Sequence, residues 1–368
     1  MRGKLTTVHC LLITSFIFLL SSCTPTPQTP LTTSLLFYNF DKSTFAEYSA
    51  DIQPLKEILF SIPVSCGLDD AFSAPIGKHM LIELNCPNGQ TVLFLDTESG
   101  SVTQPVTNSD AHFLAWTSDG KAAYLKVDSL GSPHVIRASV DSAQKNIPIT
   151  EFAYDLSAKP DSNDFTFTFS RGMGQGSELW LAQRDGKVVK QLFADQFNYI
   201  SYARWSPDGS QLAFIKTPDS QTPFTVGELW VMGADGSNLH KLADVDTGHG
   251  YAANWSPDGT RIAFVKRENP EDASADQSSD ALISNIVVVN IQSGETTPIT
   301  QFTSGRAETP LWSPDGNTLA FSTVIDGRMQ VQIADMLTGE ISFPYSGNNL
   351  LCRMDAKVKL SNDLHHSL

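Results

Sequence analysis

Charge is scarce in this chain and lopsided. Charged residues make up 18% of the 368, with 25 Lys and Arg against 40 Asp and Glu, and the net charge is −15. That balance argues against a nucleic-acid or anionic-membrane surface as partner. Cysteine is also sparse, with five in all. His-Glu-x-x-His and Cys-x-x-Cys do not occur, and neither do the glycine fingerprints of phosphate-binding and dinucleotide-binding loops. The long apolar run at residues 8–20 is too short to span a bilayer as a helix of the mature protein. What the chain does have is 24 Gly, 20 Pro and 10% aromatics, a globular and turn-rich composition. Its length suits two domains or one large all-β domain.

Arg2 and Lys4 precede the apolar run, and the small residues Ser21 and Ser22 come after it. That layout reads as a cleaved secretory signal over residues 1–22. Leu20-Ser21-Ser22-Cys23 resembles a bacterial lipobox. The resemblance implies that Cys23 becomes the mature N-terminus, its thiol consumed as a thioether and its acyl chains held in a membrane. An ordinary signal peptide cut nearby is the alternative. Residues 23–33 then read as the lipidated cysteine and an extended, semi-rigid Pro/Thr linker. The implied location is extracytoplasmic, anchored to a bacterial membrane.

Repeats dominate the remainder of the chain. W-S-P-D-G stands at 205–209, 255–259 and 312–316, and W-T-S-D-G at 116–120. Each is followed by an apolar, strand-like run and then by a second run that ends in a tight turn, such as Asp235-Gly236 or Ser293-Gly294. Weaker copies begin at Phe72 and Leu156. Cys352 opens another, in which a turn over 352–356 leads to a strand over 357–360. The anchors at 72, 116, 156, 205, 255 and 312 lie 40 to 57 residues apart, the length of one four-stranded propeller blade.

The pentapeptide has a structural explanation. Trp116, Trp205, Trp255 and Trp312 end an inner strand and pack between blades. Pro207, Pro257 and Pro314 set φ early in a hairpin turn, Asp208, Asp258 and Asp315 bond back to the backbone, and Gly209, Gly259 and Gly316 take positive φ. No serine here has a base beside it, and no catalytic residue is identified.

These repeats resemble the WD-like repeats of TolB-type propellers, over residues 66–347. The same repeats occur in the propeller domains of dipeptidyl-peptidase-like and prolyl-oligopeptidase-like enzymes. The resemblance implies an all-β propeller of four-stranded antiparallel blades and says little about function. TolB implies a soluble periplasmic partner of envelope lipoproteins, but this chain shows no second domain like TolB's amino-terminal one. A peptidase would need a Gly-x-Ser-x-Gly elbow. The nearest phrase, Gly-Gln-Gly-Ser at 174–177, lacks the closing glycine.

The propeller is assigned to residues 34–368. Runs at 35–40 and 58–62 read as two outer strands, so that 34–65 and 348–368 would share a closing seventh blade; six blades are the alternative. With Ser73 and Lys78 flanking the first turn, Cys66 falls one residue out of register with Cys86. A longer turn or one bulge would bring the two face to face, within disulfide reach. Two buried free thiols are the alternative.

One face of the disc should carry the uniform turns. The other should carry connections of varied length, where binding residues concentrate. Arg171, Asp195, Phe197, Tyr199, Asp244, Asp246, His249, Tyr251 and Arg306 populate that second face. Asp244 and Asp246, two apart beside glycines, are candidate oxygens for a Ca²⁺ ion, an ordinary polar connection being the alternative. No other cofactor is implied. Residues 268–280 carry five acidic residues and no basic one, and read as a mobile solvated insertion, with docking as the alternative.

The expected molecule is a monomeric, membrane-anchored propeller that binds a protein or envelope polymer without catalysis. Its rival is a metal-assisted hydrolase or lyase acting on an envelope or extracellular polymer. After denaturation without reductant, the mature protein is expected to show one free thiol, at Cys352. A count of three would remove the disulfide.

Overall fold

Most repeats contain one stretch that is apolar almost without a break, such as 80–84, 122–125, 212–215, 262–265 and 319–321, while 165–169 alternates Phe with Thr. A strand with one wet face would alternate; an unbroken run is what a strand covered on both faces requires. A computed structural model of the chain places all of these runs in strands. It describes residues 31–358 except 40–43, 50–53, 59, 61, 64, 108–109, 129–130, 140–143, 221, 248–251 and 346–348. The segment 1–22, Cys23, His249 and Tyr251 lie outside the described residues, and so does the side chain of Cys352. Thr32–Lys357 form one compact unit, to which the sheets belong.

Three strands come first: β1 (Leu31–Asn39), β2 (Thr44–Ser49) and β3 (Pro54–Ile58). Four antiparallel meanders come after them. The first is β4 (Gly67–Ser73), β5 (His79–Cys86), β6 (Gly89–Asp96) and β7 (Val102–Thr103). The second is β8 (Asp110–Trp116), β9 (Ala122–Asp128), β10 (Pro133–Ser139) and β11 (Lys145–Ile147). The third is β12 (Ala153–Ala158), β13 (Asp164–Phe169), β14 (Ser177–Gln183) and β15 (Val188–Asp195). The fourth is β16 (Asn198–Trp205), β17 (Gln211–Pro218), β18 (Val226–Gly233) and β19 (His240–Asp246).

An eight-stranded sheet comes next. It joins β20 (Asn254–Trp255), β21 (Arg261–Arg267), β22 (Ser284–Asn290) and β23 (Thr296–Pro298) to β24 (Arg306–Trp312), β25 (Thr318–Ile325), β26 (Arg328–Asp335) and β27 (Ile341–Tyr345). Its two halves meet through one parallel pair, Ser284 with Arg306. The final strand, β28 (Asn349–Val358), lies beside β1 in a sheet of order β28-β1-β2-β3. The result is four-stranded antiparallel sheets in a propeller arrangement.

Three sequence expectations change here. β1 begins at Leu31, inside the segment read as linker. The N-terminal part supplies three strands rather than two, and the missed one, β2, buries Phe45, Ala46 and also the acid Glu47, which disguised it. Residues 352–356 form no turn but continue β28, because their backbone pairs within the first sheet.

Apolar layers lie between successive sheets. Leu36, Tyr38 and Phe45 pack with Met80, Ile82 and Leu95, while Leu81 and Phe94 pack with Trp116 and Leu125. Tyr124 meets Phe165, Leu179 meets Phe214 and Ile215 meets Phe264, and between the two halves of the eight-stranded sheet Val265 meets Phe321. The second strand of each meander is therefore buried on both sides, as in the pattern of β13, where five consecutive residues are buried. Outer strands such as β15 and β23 are mostly exposed.

The repeated pentapeptide locks the bottom of each unit. In the fourth meander the Ser206 hydroxyl donates to Asp208 (2.6 Å), while the Gln211 and Ser210 amides donate to Ser206 Oγ and Asp208 Oδ1. Ser256 with Asp258, and Ser313 with Asp315, repeat this geometry. Gly209, Gly259 and Gly316 sit at φ 67°, 69° and 71°, a region open to glycine without strain. The next turn stacks on the last: a Cβ on Gly259 would touch Pro207 at 3.7 Å, and one on Gly316 would touch Pro257 at 3.6 Å. The Ser206 hydroxyl, then the amide and hydroxyl of Ser210, hold the Asp208 carboxyl below its usual range.

The tryptophans tie neighbouring units together. Trp116 Nε1 donates to the Phe72 carbonyl (3.1 Å), Trp255 Nε1 to Arg204 (3.0 Å) and Trp312 Nε1 to Asn254 (3.1 Å). The buried Trp205 Nε1 has no partner among the described residues, although Lys159 Nζ lies 5.0 Å from its ring. Trp255→Phe is therefore expected to destabilise the protein by about 1 kcal/mol more than Trp205→Phe. Denaturant unfolding of the two variants checks it, and equal losses would mean that the indole bond contributes nothing net.

Candidate functional site

The first strand of each sheet runs from the variable face to the Ser-Pro-Asp-Gly side, and most of these strands are kinked. Pairing slips between Leu68 and Asp70 in β4, Phe113 and Ala115 in β8, Ala153 and Asp155 in β12, Ser201 and Arg204 in β16, and Glu308 and Leu311 in β24. Bulges of this kind re-aim side chains and free backbone groups from the ladder. Tyr202 and Thr309, inside two of them, adopt positive φ of 54° and 51°.

Carboxylates satisfy the freed amides across sheet boundaries. Glu83 accepts from Phe113 N, and Asp155 accepts from Ala203 N (3.0 Å) while pairing with Arg204 Nη1 (2.9 Å). Glu83 stands directly opposite Asp70 in the ladder. Burial raises Glu83 to about 7 against the Phe113 amide bond, and the charges of Asp70 and Asp69 add to the rise. Burial likewise raises Asp70 to about 6, opposed by the Ala71 amide and helped by Asp69. Tyr202 is also pushed up, by burial first, then by Asp155; Arg204 opposes the rise, and Asp70 adds to it from a sheet that is not its neighbour. Buried acids with strongly raised pKa values are candidates for proton transfer.

The slip between Leu68 and Asp70 also sets the cysteines. Ser73 pairs with Met80, so the turn is longer than a Ser73–Lys78 frame implies, and the bulge leaves Gly67 opposite Asn85. Cys66 and Cys86 come next on either side, joined as a disulfide with Cα atoms 4.2 Å apart.

On the variable face, Phe152, Met173 and Phe197 are 45%, 68% and 78% exposed. All three crown one sheet: Phe152 precedes β12, Met173 lies between β13 and β14, and Phe197 lies between β15 and β16. Their loops are tied down. Gly174 N donates to Asp219, and Asp219 N donates to the Phe197 carbonyl (3.4 Å). Gly176 sits at φ 62°, where a Cβ would lie 2.0 Å from the Asp195 carbonyl.

The other face residues divide by burial. Arg171 is exposed and pairs with Glu178 at 3.2 Å, and Tyr199 is half-buried. Asp195 is held below its usual range despite burial by Lys216 (2.9 Å) and by the Phe197 and Asn198 groups. Arg306 is engaged by Glu308 and by the Ser279 carbonyl (3.1 Å). Asp244 pairs with Lys241 (2.7 Å), and Asp246 is buried against Arg267 (2.9 Å). Both carboxylates of the Ca²⁺ candidate thus already have cations, and no group of three or more ligands fit for a metal occurs among the described residues. Asp246 and Arg306 serve packing rather than an open surface.

The 268–280 insertion is packed, not loose. Arg267 also holds Asp276 (2.9 Å), Phe224 N donates to the Asp276 carbonyl, Ala275 is fully buried, and a short 3-10 turn covers Ser279–Ala281. Sequence reasoning passed over Asp70, Glu83 and Asp155, although a glutamate inside the apolar run at 80–84 was a usable cue. Tyr202 and Arg204 left no cue, because a bulge positions them.

No family model and no curated protein matches the chain. Solved structures do match. An oligogalacturonate lyase in complex with manganese is 13% identical at a TM-score of 0.58, with 85% of this chain and 84% of that one covered. The fold is a β-propeller. A puromycin-hydrolyzing peptidase of Mycobacterium tuberculosis also reaches 0.58 at 13% identity, over 82% of this chain and 49% of its own. TolB from Acinetobacter baumannii is 16% identical at a TM-score of 0.49, over 85% and 78%, too loose to support more. At these identities the likeness shows the fold alone.

The acid pair of this propeller has a pH signature. Asp70 and Glu83 keep protons when folded that they lose in the unfolded chain near pH 4. The folded state is therefore penalised increasingly as pH rises from about 4 through 7. Glu83→Gln is expected to flatten this slope by on the order of 2–3 kcal/mol between pH 5 and 8. Thermal unfolding across that range measures it, and an unchanged slope would show that the pair is not protonated.

Proposed function

We propose that this chain is a lipid-anchored, extracytoplasmic propeller of seven blades that binds a protein or envelope polymer through its variable face. The count of seven divides the eight-stranded sheet at its single parallel pair and takes β28-β1-β2-β3 as one blade drawn from both ends. Export and anchoring rest on the lipobox-like Leu20-Ser21-Ser22-Cys23. The observation that carries the binding role is the group of Phe152, Met173 and Phe197, exposed on loops that hydrogen bonds hold in place. Apolar side chains on ordered loops lose little entropy on docking and mark interaction surfaces.

A second reading, a propeller enzyme acting on an envelope or extracellular polymer, draws on the opposed Asp70 and Glu83. A protonated acid beside an ionisable one suits general acid–base work.

Affinity capture from detergent-solubilised envelope separates the two. The wild-type protein is expected to retain a partner that the Met173→Ala, Phe197→Ala double variant binds roughly tenfold more weakly or worse. No variant-sensitive partner, together with polysaccharide or peptide turnover that Glu83→Gln abolishes, would reverse the order of the readings.

A further inference from the structure

The direction of β1 decides from which side an N-terminal tether leaves the propeller. β3 leads through residues 59–66 to β4, which starts on the variable face and ends at the turn before β5. β3 is antiparallel to β2, and β2 to β1. β1 therefore runs in the same sense as β3, and its first residues lie on the turn face, with the Ser-Pro-Asp-Gly turns.

Residues 24–30 are all that separate Cys23 from β1. Fully extended, the eight Cα steps from Cys23 to Leu31 reach ~26–29 Å at ~3.3–3.6 Å per residue. Strands such as β17 and β25, each of eight residues, stand about 25 Å tall. The height of the sheet alone uses nearly the whole tether. A path round the outside must also cross β2 and β3, about 10 Å more at ~4.8 Å per strand. A membrane that holds Cys23 cannot, on this tether, also be reached by the variable face.

We propose that the anchored protein rests with its turn face against the bilayer and presents the variable face, with Phe152, Met173 and Phe197, to the aqueous side. This rests on the reading of Cys23 as lipid-bearing. The turn face suits a neutral, zwitterionic headgroup layer. Its Asp208, Asp258 and Asp315 carboxylates are spent on internal hydrogen bonds, and the aliphatic Ile76 and Leu337 stand exposed on it. A net charge of −15 disfavours an anionic layer.

The test uses the full lipidated protein in phosphatidylcholine vesicles that carry a headgroup quencher. A fluorophore is attached to Gln292→Cys, in the turn between β22 and β23, or to Gln175→Cys, in the loop between β13 and β14, each with Cys352→Ser. Quenching several-fold stronger at 292 than at 175 is expected; equal or reversed quenching overturns the orientation. Lysine acetylation of the unsubstituted protein repeats the test without variants. Lys121 and Lys187 on the turn face should be protected on vesicles while Lys266 near the variable face is not, and the opposite pattern overturns the proposal. Flotation of Cys23→Ser and the intact mass of the bound protein judge the anchor separately. Undiminished flotation or an absent acyl mass removes the anchor, and the orientation with it, whereas an acylated protein with equal quenching at both sites sinks the orientation alone.

Discussion

The apolar layers between successive sheets are what the rest of the structure depends on. Strands β5, β9, β13, β17, β21 and β25 are buried on both faces, so a sheet taken from its neighbours would expose two apolar surfaces at once. The strands are shared between layers: Phe264 packs with Ile215 of the preceding sheet, and Val265, the next residue, packs with Phe321 of the other half of the eight-stranded sheet. Stability is consequently a property of neighbouring pairs, as in other repeat architectures. The indole bonds, and the stacking that leaves only van der Waals room for a Cβ between Gly259 and Pro207 and between Gly316 and Pro257, then fix how one repeat is offset from the next.

Polar chemistry enters this apolar stack at the bulges of the first strands. A bulge releases an amide from the ladder, and a buried amide must find an acceptor. Glu83 answers Phe113, and Asp155 answers Ala203, each from the preceding sheet in contact. The same device that closes a hydrogen-bond deficit places acids, Arg204 and Tyr202 near one another. Burial then raises Glu83 and Asp70, so an arrangement with a structural origin acquires titratable groups near neutrality.

The two faces differ in what holds them. The turn face is built from one short-range motif whose serine, aspartate and glycine are satisfied within five residues. The variable face is held by longer contacts: Asp219 to Gly174, Arg267 to Asp246 and Asp276, and Arg306 to the Ser279 carbonyl. Local motifs repeat because they serve the chain; long contacts differ from loop to loop, and there a specific surface can be shaped.

That division explains what was legible beforehand. The W-S-P-D-G turns, the unbroken apolar runs and their spacing determined an all-β repeat architecture and the face on which the turns lie, because those features depend on residues a few positions apart. The proximity of Cys66 and Cys86 was within reach of the same reasoning, up to the one bulge that sets their register. Tertiary structure alone decided that Asp246 and Arg306 are consumed in packing, that the acidic insertion is pinned by Arg267, and that Asp70 meets Glu83. Each of these depends on strand slippage or on partners from distant segments, and no local pattern of residue types encodes either.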